Sequence, residues 1–270
     1  MERVFVIALF VLTLGGCSSN DDSKEPSDDY AAFMADTSIE TEVDFMPAEV
    51  YEEYSDTPQA PLLKLKLITT EIYPCANYAL ETTTFIRENE LIVRFDGVFR
   101  PNICLTAIGP ATTHVDLPDS IDRLTFLNGE NIDKYTVDIN AEKINVTLSE
   151  SSFTHLLYEH TFRIPENTFA YICGTYTDNT HLYNDFKNVL LSNPALQEFT
   201  FVGEGRIPYP ESSSGHGVDH PSSFFRYTNE ADFDALGTIL DDFSSQNIEE
   251  NSGVTMQLNS WFNKRHLSWD

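Results

Sequence analysis

Between Leu62 and about Pro165 the apolar residues recur with a period of two and show no helical periodicity. Leu63-Lys64-Leu65-Lys66-Leu67 is the clearest case, with leucine at every odd position and lysine at every even one. Successive side chains of a strand point to opposite faces, so this pattern buries one face and wets the other. The same reading places strands at 77–87, 91–99, 111–117, 123–127, 133–139 and 143–149. Turn residues separate several of them: Arg87-Glu88-Asn89-Glu90, Asn128-Gly129-Glu130-Asn131 and Asn140-Ala141-Glu142.

About seven short antiparallel strands in some hundred residues resemble, in pattern, an immunoglobulin-like or related β-sandwich. The Cys…Trp…Cys hallmark is missing, since both tryptophans, Trp261 and Trp269, lie near the C-terminus. This sandwich is expected over 58–165. The pattern changes beyond it. Thr168–Cys173 reads as an apolar strand, and Asn179–Leu191 as a helix with Leu182, Phe186, Val189 and Leu190 on one face, ended by Pro194. Strands follow at Glu198–Val202 and Ser223–Tyr227. A helix over Asn229–Phe243 carries the stripe Ala231, Phe233, Leu236, Ile239, Leu240 and Phe243, capped by Thr228 or Asn229. Val254–Phe262 alternates as a last strand. The order β-α-β-β-α-β matches a ferredoxin-like domain over 166–270. The expected fold class is therefore mixed β and α+β.

The first residues carry a different signal. Val4 to Leu14 is an apolar run of eleven residues, about half of the ~20 that a membrane-spanning helix needs. With Arg3 before it, the run reads as the apolar region of a signal peptide. Leu14-Gly15-Gly16-Cys17 closes it and resembles the lipobox of bacterial lipoproteins. The resemblance implies removal of residues 1–16, lipid on Cys17 and attachment to the outer membrane, periplasm-facing or on the cell surface. The acidic stretch Ser18–Glu25 is similar to the surface-export signal of Bacteroidetes-type lipoproteins. From Ser18 to Asp56 there are 13 acidic residues and one lysine, which predicts that 17–57 is a disordered acidic tether with at most one short docked turn.

Sixteen basic residues against 43 acidic ones give a net charge of −27. The densest basic spot after Cys17 is the pair Lys264-Arg265. Nucleic acid, whose binding requires neutralised phosphates, is excluded as a partner on this reading, and so is electrostatic attachment to anionic lipid.

Three cysteines remain besides Cys17. Cys75 and Cys104 lie symmetrically about the Arg87–Glu90 turn, so a hairpin brings them opposite one another as a disulfide pair. Closing a loop of that length is worth on the order of 3 kcal/mol in the chain-entropy model. Cys173, inside an apolar run, is then a buried free thiol. The alternative pairing is Cys104 with Cys173.

Candidate chemistry concentrates in the Gly/Ser/Pro-rich loop 203–222. His216, Asp219 and His220 are a candidate set of ligands for a divalent metal, because imidazole and carboxylate suit zinc or copper. The alternative is a mobile polar loop. Ser213 and His216 lie close, but no G-x-S-x-G elbow accompanies them. Tyr209, Phe224, Phe225 and Trp261 are candidates for stacking on sugar, against an ordinary place in the core. The expectation is a non-enzymatic envelope module that binds a protein or glycan. The alternative is a metal-dependent or other hydrolase with its site in the 203–222 loop.

Overall fold

The computed structural model describes residues 29–52 and 58–268. The signal segment, Cys17, Trp269 and the tether up to residue 28 lie outside the described residues. Ten strands come first: β1 (Val43–Val50), β2 (Leu62–Tyr73), β3 (Ala79–Arg87), β4 (Glu90–Phe99), β5 (Gly109–Asp116), β6 (Arg123–Asn128), β7 (Asn131–Ile139), β8 (Lys143–Glu150), β9 (Thr154–Leu156) and β10 (His160–Phe162). They form a four-stranded sheet, β5-β2-β1-β9, and a six-stranded sheet, β10-β8-β7-β6-β4-β3. Both sheets bury side chains in one shared core. Phe45, Leu65 and Leu67 come from the smaller sheet, and Phe95, Phe126 and Tyr135 from the larger. The Phe45 ring lies 4.7 Å from Phe126 and 4.8 Å from Tyr135. In β2 Leu63, Leu65 and Leu67 face this core while Lys64 faces outward and pairs with Asp116 at 3.0 Å.

The acidic tether is shorter than expected. Residues 43–50 form β1, which pairs with β2 over all eight positions. Val43 and Phe45 are fully buried, with the acidic Asp44 alternating between them. Ile39, further upstream, also enters the core. The buried Asn128 side chain holds its backbone: Ile39 N donates to Asn128 Oδ1 at 2.8 Å, and Asn128 Nδ2 donates to Ile39 O at 3.0 Å. Averaging charge over the segment hides a short strand with only two acids, Asp44 and Glu49, and a buried run from Phe45 to Ala48.

The sheets are not purely antiparallel either. β4 runs parallel to β6, and β1 to β9. A parallel neighbour requires a crossover. Between β4 and β6 the chain makes it through β5 in the other sheet. Alternation reports which face is buried and carries no information on direction.

Cys75 and Cys104 are bonded, with their Cα atoms 5.3 Å apart. The β3–β4 turn is the tight pair Glu88-Asn89, with Glu88 at φ 57°, and a bulge at Glu81/Thr82 adjusts the register toward the bridge. Cys104→Ser is expected to lower stability by about 3 kcal/mol through the freed loop. Urea denaturation of oxidised wild type, reduced wild type and variant checks this. Equal midpoints for all three would contradict it.

The second part comprises β11 (Thr168–Thr175), a 3-10 turn (Thr177–Asn179), α1 (His181–Ser192), β12 (Leu196–Phe199), β13 (Val218–Asp219), β14 (Ser223–Tyr227), α2 (Glu230–Asn247), β15 (Thr255–Ser260) and β16 (Arg265–Leu267). The sheet order is β12-β14-β11-β15-β16, with every neighbouring pair antiparallel. All eight residues of β11 are buried. On one face Phe169, Tyr171, Met256 and Leu258 meet Leu182, Phe186, Leu190, Phe233, Leu236 and Leu240 of the two helices. The opposite face, with Ala170, Ile172 and Phe224, is covered by Ile164 and Tyr209. The chain is thus β-rich with a smaller helical share.

Asn229 is the cap of α2. Its side chain accepts from Asp232 N, and the Asp232 carboxylate accepts from Asn229 N. Val189 falls at the edge of the α1 stripe and is exposed, while Tyr183 joins the buried set. Ala231, in the first turn of α2, is also exposed.

The described residues from Phe33 onward hold together as one compact unit. Backbone and side-chain bonds cross between the two parts. Tyr51 Oη donates to Trp261 O at 2.8 Å, Gln59 N to Phe262 O at 3.0 Å, and Phe162 N to Arg206 O at 2.9 Å.

Candidate functional site

The 203–222 loop is docked along β11 at its far end. β13 pairs with Gly174 and Thr175, His220 N donates to Cys173 O, and the Ser213 hydroxyl donates to the same carbonyl at 2.8 Å. A Cβ on Gly174 would come within 2.2 Å of the His216 ring, so glycine is what lets the loop lie this close.

Asp219 is the hub of the loop. Its Oδ1 lies 3.0 Å from the Ser213 hydroxyl and 3.3 Å from both the His216 amide and Nδ1. Burial works to raise this carboxyl, but those hydrogen bonds outweigh it and hold the group below the ordinary aspartate range. His216 Nε2 lies 2.7 Å from the Thr255 hydroxyl. His220 is held separately: its Nε2 is 2.9 Å from the Thr175 hydroxyl, and its ring stacks on Tyr183 at 4.6 Å. The structure therefore joins His216 to Asp219 and gives His220 different ring partners. Among the described residues no three His, Cys, Asp or Glu side chains group to hold a metal ion. Thr255 and Thr175 were invisible to sequence reasoning, because strand pairing alone brings them to the loop.

Burial of the His220 ring lowers its pKa, against the pull of Asp219. Above its ordinary value of about 6.5 the ring is neutral both folded and unfolded. As pH falls below that, the unfolded chain takes up the proton first, so this stabilising contribution declines until the folded pKa is passed. The melting temperature of wild type is therefore expected to fall more than that of His220→Asn between pH 7 and pH 5. Parallel curves would refute the assignment.

Cys173 is free and fully buried in β11. Burial pushes its thiol up to about 11. Tyr209, Phe224 and Phe225 prove to be core residues, and only Trp261 of the four aromatic candidates borders open space. That space is a cleft of about 650 Å³ at the seam between the two parts. Glu49 of β1, the β7–β8 turn with Glu142 and Lys143, Phe162 of β10 and the connection Arg163–Glu166 form one side. Phe199 at the end of β12, Phe201 and Val202 beyond it, Arg226 of β14 and Trp261 form the other.

No family model, curated protein or solved structure matches this chain.

Two of the cleft's cations lie over rings. Lys143 Nζ is 4.2 Å from the Phe162 centroid, and the Arg226 guanidinium carbon is 4.6 Å from that of Phe199. Lys143 also donates to Glu204 O at 3.0 Å. Among the described residues neither cation forms an ion pair. The third cation, Arg163, is bound to Glu49 at 2.9 Å and Asp119 at 3.2 Å, and Glu49 also accepts from Ile164 N. The Glu49 side chain is only 4% exposed, so this pair is a fixed part of the wall. The rings preorganise Lys143 and Arg226 without neutralising them.

A second surface is apolar. Ile72, Phe99, Ile103, Leu105 and Ile108 are exposed around the disulfide end of the sandwich. The Asn77 side chain fixes this loop by bonding Ile103 O and Leu105 N.

Proposed function

We propose that this chain is a lipid-anchored envelope protein whose role is to bind a ligand, and that the cleft is its binding site. The anchor rests on Val4–Leu14 followed by Leu14-Gly15-Gly16-Cys17. We read the frame as an immunoglobulin-like sandwich joined to a ferredoxin-like unit. Two sheets with a common core support the first, and the antiparallel order β12-β14-β11-β15 with both helices on one face supports the second. Fold names no ligand, so the reading rests on one observation: the seam opens into a cleft of about 650 Å³ with aromatic walls and two cations lacking ion-pair partners among the described residues. That size lies within the roughly 300–1,000 Å³ of small-molecule sites.

A panel of glycans and small metabolites, screened by thermal shift, tests the reading. A ligand that raises the melting temperature of wild type and not of a Phe201→Ala, Trp261→Ala double variant supports it. Ligands that stabilise both proteins equally would move the site elsewhere. The expected lipid on Cys17 is checked by mass spectrometry of the mature N-terminal peptide.

A second reading, a hydrolase centred on the 203–222 loop, is favoured by the series Thr255 hydroxyl, His216 ring, Asp219 carboxylate. Hydroxyl, imidazole and carboxylate in that order are the parts of an acyl-transfer site. This reading predicts hydrolysis of an activated ester that is lost in Thr255→Val and in His216→Ala. The same background rate in all three proteins removes it. A divalent metal in the loop predicts stoichiometric metal in the purified protein, lost in the His216→Ala, His220→Ala double variant.

A further inference from the structure

Resting on the cleft as the binding site, we infer that its ligand is an acidic saccharide, a uronate-type sugar carrying ring hydroxyls and a carboxylate. Three kinds of group line the cleft, and the ligand must satisfy all of them.

The first is the pair of cations. The chain carries −27 overall, yet Lys143 and Arg226 face this space without a carboxylate partner among the described residues. An anionic group is the natural complement, and a guanidinium binds a carboxylate bidentately. The second is aromatic: Phe201 and Trp261 border the cleft with part of their surface open. They suit a flat face of C–H groups. The third decides the class. Glu142 and Glu166 also line the cleft, and their carboxylates take no hydrogen bond from another described residue. They are acceptors only. A simple aromatic acid would bring them repulsion and no donors, and a free phosphate would bring at most one or two P–OH groups along with a more concentrated negative charge. Sugar hydroxyls are donors, so an acidic sugar satisfies cations, rings and carboxylates together. The far-off acidic surface then screens against anions that cannot repay their approach through such contacts.

Isothermal titration of the full mature protein with an oligoglucuronate, the matching neutral oligoglucose and inorganic phosphate tests this. Hydrogen exchange of segment 199–202 reports whether binding occurs in the cleft. The oligoglucuronate is expected to bind and to protect that segment. Its affinity should fall about tenfold or more in Lys143→Gln, Arg226→Gln, as loss of a charge-assisted hydrogen bond implies. Arg123→Gln, a change of one charge on β6 outside the cleft lining, should leave it unaltered. The neutral sugar should bind at least about tenfold more weakly by the same measure. Equal binding of neutral and acidic sugars with protection of 199–202 would overturn the acidic class and keep the cleft as the site. Phosphate binding alone would show a bare anion site and overturn the saccharide. No protection of 199–202 by any of the three would overturn this inference, whereas the thermal-shift panel separately decides whether the cleft binds anything.

Discussion

Replacing Asp133 by alanine is expected to lower the unfolding free energy by about 4 kcal/mol, the largest effect of any single polar substitution proposed for this chain. Asp133, on β7, is fully buried and has no cation among its hydrogen-bond partners in the described residues. It is held instead by donors from one short segment. Its Oδ1 accepts from Ser152 N at 2.7 Å and the Ser152 hydroxyl at 2.9 Å. Its Oδ2 accepts from Phe153 N at 3.0 Å, Thr154 N at 2.7 Å and the Thr154 hydroxyl at 2.6 Å. Alanine would leave three backbone N–H groups without this acceptor, each worth roughly 1–3 kcal/mol where it stays buried. Phe153 would lose its place in the core beside Phe95, and β9 its anchor beside β1. An asparagine side chain would keep one acceptor oxygen but turn its NH₂ toward N–H donors, so Asp133→Asn should recover less than half of the loss. Guanidinium denaturation of the three proteins measures it. A loss in Asp133→Ala below about 1 kcal/mol, the ordinary value of one hydrogen bond, would show that water replaces the carboxylate freely.

Such a site shows where sequence reading stops. Leu63 to Leu67 announces a half-buried strand, because the period is local and the two faces differ in kind. Asn229 with Asp232 announces the start of α2 for the same reason: both halves of the cap lie within four residues. Asp133 reads only as an outward or inward position of β7, and nothing near it in sequence tells that Ser152 to Thr154 will turn back onto it. β1 was hidden by its own acidic residues. β16, three residues long and paired only with β15, carries too short an alternation to register.

The candidate sites divide in the same way. The disulfide follows from a hairpin, so Cys75 and Cys104 could be matched by their symmetry about one turn. The loop 203–222 stands out by composition, yet its ring partners, Thr175 and Thr255, come from separate strands. The cleft left almost no mark on any single window of sequence. Its walls come from positions 49, 60–61, 141–143, 162–166, 199–202, 226 and 261. The one local trace is Arg226, an exposed arginine between buried Phe225 and Tyr227, on the face of β14 that also carries the buried Phe224.

Glu49 couples the fold to that cleft. Its carboxylate bonds Arg163 Nε at 2.9 Å with one oxygen and Ile164 N with the other. It thereby ties β1, in the heart of the sandwich, to the chain entering β11. Removing one partner of a buried pair costs more than the pair contributes, because the other charge is left uncompensated. Glu49→Ala is expected to cost about 3 kcal/mol. Part of the Arg163 charge is rescued by Asp119 at 3.2 Å, which keeps the figure below that of a fully isolated pair. Glu49→Gln retains an oxygen for Ile164 N and should cost about half as much. The two losses have a distinguishing signature at the cleft. With Glu49 gone, Arg163 becomes a third cation lacking its buried partner, and the 163–166 wall loses its tether to β1. Stability should therefore fall while any affinity for an anionic ligand rises or holds, the reverse of the result for Arg226→Gln. Denaturation midpoints and titration with the oligoglucuronate, run on the same two variants, separate these effects. Stability unchanged in Glu49→Ala would mean that the other bonds across the seam, from Tyr51, Gln59, Lys143 and Phe162, hold it without Glu49.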